Sequence, residues 1–274
     1  MAVTMADIQH LRKMTGAGMM DCKGALNEAN GDYDKAIEII RKKGQAVAAK
    51  REDRDAAEGC VLAATNGDFA AIVAVKCETD FVAKGEDFIA MVKKILNAAL
   101  ESKPATIEEL SELSIEGRKV NELITDRVAV TGEKMELGFY ETIAAPSTVS
   151  YIHPGNKLAT IVGFNQANVE NQVAKDIAMQ VAAMNPVSVD ADSVPASIIE
   201  TERKIAREKA VEQGKPENIL DRIADGAVTK FFKDSTLLAQ DFIKDSKISV
   251  ADYLKQQDKA LSVTGFKRVN LNVE

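Results

Sequence analysis

In the run Lys76-Cys77-Glu78-Thr79-Asp80-Phe81-Val82-Ala83-Lys84 an acid stands beside a large aromatic, flanked by further charge. The run follows an apolar segment of strand length and precedes a helical pattern. Asp80-Phe81 therefore falls on a connection at a sheet end, where a rigid scaffold can position functional side chains. Two readings are open. In one, Phe81 is a probe that fills an apolar pocket and sets a negative charge beside it. In the other, Thr79 or Asp80 caps a helix and Phe81 tucks into the core. Acid–base chemistry at Glu78 or Asp80 would need a convergent polar pocket, and the sequence offers no second catalytic group near them.

A second run, Leu11-Arg12-Lys13-Met14-Thr15-Gly16-Ala17-Gly18-Met19-Met20-Asp21-Cys22-Lys23, sets two methionines after a glycine-rich turn. Methionine is flexible and polarizable, and is common at binding surfaces. A helix cannot easily point both Met19 and Met20 into one small core. The run reads either as a tight turn with core methionines or as an interface.

Other chemistries are poorly supported. The three cysteines, Cys22, Cys60 and Cys77, lack CxxC spacing, and the two histidines, His10 and His153, are far apart. Zinc sites and Ser/His or Cys/His catalysis are therefore not expected. The sequence has no GxGxxG, GxxxxGK[ST] or HExxH pattern, so no cofactor, nucleotide or metal is expected on this chain by those routes. With 35 basic and 42 acidic side chains the net charge is −7, a poor balance for general nucleic-acid binding. The basic residues of 41–55 (Arg41, Lys42, Lys43, Lys50, Arg51, Arg54) have no interleaved aromatics for base stacking. They read as a helical linker with a solvated face rather than an RNA-binding arm.

An apolar content of 46% over 274 residues excludes a disordered chain. The longest apolar stretch, Phe69 to Val75, is far short of the ~18 residues of a membrane span. The first residues lack the basic-then-apolar pattern of a secretory signal. Reduced cysteines and no targeting segment together give the expectation of a cytoplasmic protein.

The elements that must position the two runs follow from periodicity. Residues 1–43 read as three short helices, with Thr4 and Asp7 forming a capping box and Asp32 capping the third. Ile8, Leu11 and Met14, then Met19, Cys22, Ala25 and Leu26, then Ala36, Ile37 and Ile40, are their apolar stripes. From 58 the period becomes that of strands: Cys60–Thr65 and Phe69–Cys77 form a hairpin around Asn66-Gly67-Asp68. A helix with Phe88, Met91, Val92, Ile95, Leu96 and Ala99 on one side follows, and 105–127 reads as helical. Met135, Leu137 and Phe139 alternate as a half-buried strand. Val149–Ile152 and Leu158–Phe164 make a second hairpin around His153-Pro154-Gly155-Asn156, followed by a helix from about 169 to 184. Hairpin then helix, twice, predicts a duplicated α+β unit. Residues 195–232 predict two helices around the tip Gln213-Gly214-Lys215-Pro216. The C-terminus alternates Val269, Leu271 and Val273 against polar residues, a strand expected to complete the first sheet.

Both functional runs resemble signatures of the bacterial translation elongation factor Ts family. The first is similar to its LRxxTGAGMMDCKxAL segment and CETDFVAK to its TDFV segment. The turn at His153, the QGKP tip and the TGFxR stretch at 264–268 fit as well, so the resemblance spans the whole chain. Family members often add a C-terminal helix after the last strand. This sequence ends at Glu274, so contacts carried by such a helix are expected to be absent or replaced here.

The resemblance implies an α+β fold: an N-terminal three-helix, ubiquitin-associated-like module, a two-part core of small antiparallel sheets with helices, and an inserted helical hairpin. The corresponding divisions are 1–55 for module and linker, 56–132 and 133–194 for the two core parts, 195–232 for the hairpin, and 233–274 for the return to the core. It also implies a non-enzymatic guanine nucleotide exchange factor acting on elongation factor Tu, through its G domain and a second domain. The nucleotide would be held by that partner, with no direct contact to nucleic acid or membrane. Thr79, Asp80, Phe81 and Val82 would form the wedge that dislodges magnesium. Arg12, Met19, Met20, Lys23, His153 and Ile243 would bind the partner. The competing reading is a ubiquitin-associated-like adaptor without exchange activity, which would explain residues 1–43 but not the loop at 79–82.

Overall fold

The computed structural model describes residues 3–272. Three helices open the chain, α1 (Met5–Thr15), α2 (Met19–Glu28) and α3 (Tyr33–Lys50). Local sequence sets their ends. Thr4 and Asp7 form the expected capping box, and Asp32 accepts from the Lys35 amide at the start of α3. Gly16 ends α1 with φ 70°, a left-handed conformation that costs glycine least. Ile8, Leu11, Cys22, Ala25, Leu26, Ala36 and Ile40 are buried together. Met14 and Met19, predicted on those stripes, are exposed instead at 54% and 44%, because so small a core covers only one side of each short helix. The third helix continues without a break through most of the charged linker, to Lys50.

The core begins with β1 (Glu58–Asn66) and β2 (Phe69–Cys77), then α4 (Asp80–Ala83), α5 (Glu86–Ser102) and α6 (Ile107–Glu112). A small ribbon of β3 (Ser114–Ile115) and β4 (Arg118–Lys119) precedes α7 (Val120–Thr131) and β5 (Met135–Ala144). The second part has β6 (Ser147–Ile152), β7 (Leu158–Phe164) and α8 (Asn171–Met184). A hairpin of α9 (Ala196–Glu212) and α10 (Glu217–Ser235) follows around the predicted tip. The chain returns through the ribbon β8 (Asp241–Phe242) and β9 (Asp245–Ser249), α11 (Val250–Gln257) and β10 (Val263–Asn270). Helices and small antiparallel sheets are mixed throughout, as an α+β fold requires.

Both main sheets have three strands, in the orders β1-β2-β5 and β10-β7-β6. They stack face to face. Val61, Ala63, Ile72 and Ala74 of the first meet Ala159, Ile161, Val269 and Leu271 of the second. The outer face of the first sheet, including Cys60, Leu62, Val73 and Val75, is covered by α5 and α7. The outer face of the second, Val162 and Phe164, is covered by α8 and α11. The central strands are thus buried on both sides, which is why Phe69–Val75 reads as an unbroken apolar run rather than an alternation.

Three expectations are corrected. The last strand does not pair with the first sheet; it pairs antiparallel with β7, and β5 joins β2 instead. A division at 133 therefore cuts the first sheet. Val269 and Leu271 do need a buried face, and they find it by stacking on the first sheet rather than by hydrogen bonding to it; Val273 lies outside the described residues. Second, Phe139 is 41% exposed. The register of β5 slips between its partners Ala74 and Val75, where Gly138 is the extra residue, and such a bulge reverses which side the following side chains face. Third, 105–127 is not continuously helical. Glu116 and Gly117 both have positive φ, at 53° and 79°, the two-residue turn that closes a β-ribbon.

Candidate functional site

The loop after β2 is held from below by two carboxylates. Glu133 accepts from the Thr79 amide (3.1 Å) and from the Thr79 hydroxyl (2.7 Å). Thr79 Oγ1 in turn accepts from the Val82 amide (3.4 Å), capping the single turn of α4. Glu78 accepts from the Lys134 amide at 2.6 Å, from Arg51 at 2.9 Å and from Arg54 at 3.0 Å. The Lys134 amide, with the Arg51 and Arg54 guanidiniums behind it, holds the Glu78 carboxyl down to about 2. Ala83 is buried and Val82 packs at the edge of the first core.

The same turn that buries Ala83 drives Phe81 outward, where it is 86% exposed. The capping half of the core reading therefore holds at Thr79, and the buried-Phe81 half does not. Asp80 is half-exposed and bonded to the Lys84 ammonium at 2.6 Å, which keeps its carboxyl below the ordinary aspartate range. Cys77, at the loop's start, donates to the Thr79 carbonyl (3.3 Å). Burial pushes the thiols of Cys60 and Cys77 up to about 12, so neither is a nucleophile near neutral pH. Among the described residues no group of three or more His, Cys, Asp or Glu could hold a metal ion.

Arg12, Met19, Met20 and Lys23 are all exposed, Met20 at 77%. The turn before the methionines is built tightly: Thr15 Oγ1 donates to the Leu11 carbonyl and accepts from the Ala17 amide. The three-helix module is fixed to the core through α3 and α7. A Cβ on Gly44 would lie 2.6 Å from the Ala129 Cβ, so the two helices cross at a distance only glycine permits. The end of α3 then runs to Arg51 and Arg54 at the base of the Phe81 loop.

His153 is exposed at the tip of the second hairpin, its Nδ1 3.0 Å from the Tyr151 hydroxyl. The adjoining Lys157 pairs with Glu58 (2.5 Å), which lies opposite Cys77 in the first sheet, and its charge also lowers the Asp80 carboxyl. The His153 turn and the Phe81 loop thus flank the same end of the stacked sheets. Ile243 is 42% exposed and is anchored elsewhere, on α8, where its amide donates to Gln180 (2.8 Å).

The sequence pattern did not disclose the roles of Glu133, Lys134 and Gln180. The signal for the first two is their place directly after Gly132, the left-handed residue that ends α7. Gln180 stands at a position of α8 that is buried although polar.

A model of the family described as Elongation factor TS matches residues 78–273. Elongation factor Ts of Azobacteroides pseudotrichonymphae genomovar. CFP2 is 65% identical over 274 residues, covering 100% of both chains. That of Porphyromonas gingivalis strain ATCC 33277 is 62% identical over 275 residues, again with 100% of both covered. That of Bacteroides thetaiotaomicron is 44% identical over an alignment of 331 residues, with 100% of both covered. A likeness this close, running from the methionine turn through the Phe81 loop to the last strand, makes the chain a member of the elongation factor Ts family.

Proposed function

We propose that this protein is a guanine nucleotide exchange factor that binds elongation factor Tu and speeds its release of GDP. The observation that carries this reading is Phe81, 86% exposed on a helical turn clamped at its base. An exposed Phe gives up roughly 1.5–3 kcal/mol that burial against a partner returns. Its backbone is already fixed, so little further ordering is needed on binding. Seated between helices of the partner's G domain, the ring would favour the conformation that holds nucleotide poorly. Nucleotide and factor then weaken each other's binding by the same factor, as linkage requires.

Asp80 supplies the charge. Its exposed pair with Lys84 is of a kind worth little, so the carboxylate can exchange that partner for the surroundings of the magnesium ion bound to elongation factor Tu. Magnesium bridges nucleotide phosphates to protein oxygens, and disturbing it loosens the nucleotide. Thr79 and Val82 fix the turn that carries both groups. Arg12, Met19, Met20 and Lys23 dock the N-terminal module, and His153 and Ile243 face a second part of the partner. No covalent bond is made or broken by this chain, and the nucleotide that is released is held by the partner, not by this chain.

The test is the release of fluorescent GDP from elongation factor Tu with and without this protein. The expected result is a release rate that rises with factor concentration to a plateau. An unchanged rate at all concentrations would refute the reading and favour an adaptor role.

A further inference from the structure

The ribbon tip Ile243-Lys244 joins β8 to β9 in two residues, with Phe242 paired to Asp245. Two-residue hairpin tips normally adopt turns with positive φ, using Gly, Asn or Asp. Neither Ile243 nor Lys244 is such a residue, and neither is among the described residues with positive φ. The tip is therefore not a primed hairpin turn fixed by Gly, Asn or Asp at its centre, and other groups must hold its conformation.

Side chains of α8 do. Asp176 and Gln180 lie four residues apart, on one face of that helix, and are 4% and 0% exposed. Gln180 Oε1 accepts from the Ile243 amide (2.8 Å), and its Nε2 donates to the Asp241 carbonyl (3.2 Å) and to Gln240 Oε1 (3.2 Å). Gln240 is itself buried and donates to the Asp234 carbonyl (3.1 Å) at the end of α10. Asp176 accepts from Lys244 Nζ (2.7 Å), the Tyr253 hydroxyl (3.0 Å) and Gln172 Nε2 (2.6 Å). The ring of Tyr253 stacks on Phe242 with centroids 4.1 Å apart. Every polar atom of the Gln180 amide group thus goes to the ribbon or its neighbour. Buried polar groups satisfied this fully fix one conformation.

We propose that Gln180 and Asp176 are positioning residues: together they hold the 241–245 ribbon so that the Ile243 side chain stands outward as a preset partner contact. This rests on the reading that Ile243 faces elongation factor Tu. Gln180 would act through Ile243 and touch the partner nowhere.

The experiment is a double-mutant cycle of Gln180→Met, close to Gln in size, with Ile243→Ala, read by labelled-GDP release from elongation factor Tu. Each single change should raise the factor concentration for half-maximal release about five- to tenfold and leave the plateau within twofold. The double variant should be no worse than Ile243→Ala alone, because positioning is lost once the positioned group is gone. Additive effects would overturn the proposal. So would a Gln180→Met effect beside a silent Ile243→Ala. A wild-type protein that does not stimulate release at all removes the exchange reading itself, and this proposal with it. Hydrogen exchange on the wild-type protein is independent of any variant's folding: the Ile243 amide should be protected although it sits at a ribbon tip. Exchange there as fast as in an open loop would also overturn the proposal.

Discussion

The Phe81 loop and the Met19-Met20 turn both hold large apolar side chains in water, but they are built in opposite ways. Phe81 stands alone on one helical turn whose base is tied by Glu133 and Glu78 to backbone amides and guanidiniums. Its ring has two rotatable bonds and a fixed backbone beneath it. Met19 and Met20 stand side by side at the rim of a small helical core, next to a glycine turn, on longer and more adaptable side chains. A rigid single ring suits prying one interface open. A pair of soft side chains suits settling onto a surface. Exposure alone does not distinguish a lever from a contact; the support beneath it does.

Breaking the lever should have the largest effect. Truncating a central interface anchor can cost more than 2 kcal/mol, so Phe81→Ala should lower the plateau release rate up to about a hundredfold. Asp80→Ala should lower it less, about tenfold, and the deficit should shrink when magnesium is chelated, since the ion is then absent in both cases. A deficit unchanged by chelation would separate Asp80 from magnesium.

On the other side of the comparison, Met19→Ala with Met20→Ala should raise the half-maximal factor concentration several-fold, roughly what two partly exposed contacts contribute. The plateau should stay within twofold. A double variant equal to wild type at limiting concentration would mean that the methionines are idle.

The support itself can be sharpened by pH. The Glu78 carboxyl sits at about 2 when folded, against an ordinary 4.5. Its contribution to stability is therefore full above pH ~4.5 and is lost as pH falls from there through about 2. Glu78→Gln should destabilise the protein by about 1–3 kcal/mol near neutral pH. The gap between wild type and variant in urea midpoint should narrow between pH 4.5 and 2. A constant gap would mean that the carboxylate's charge does not hold the loop.

What was legible in the sequence was what is local. The Thr4–Asp7 capping box, the Asp32 cap, the glycine stop after α1 and the Asn-Gly-Asp hairpin turn are decided within a few residues, and they stand where the pattern puts them. Sheet membership is not local. The sequence offers two hairpins and two unpaired strands, one alternating through Met135, Leu137 and Phe139 and one read at 266–274, and either could bury an apolar face on either sheet. The observed arrangement differs from the predicted one by exchanging the two. The Phe139 misreading has a similar cause, since one extra residue at Gly138 reverses the strand's facing without altering its composition. At the site, Thr79 was legible as a cap. The exposure of Phe81 was not, because a lone Phe beside an apolar strand has the same pattern whether it turns in or out. The carboxylate of Glu133 comes from 54 residues away, and no spacing rule connects it to Thr79.

The central claim is that Phe81 acts on the release step and not on docking alone. Stopped-flow release of labelled GDP from elongation factor Tu, at saturating Phe81→Ala protein shown by circular dichroism to be folded, tests it most directly. The account predicts a plateau rate about a hundredfold below wild type while the Arg12 and Met19 surface still binds the partner. A plateau equal to wild type, reached merely at higher factor concentration, would contradict it and make Phe81 one more docking contact.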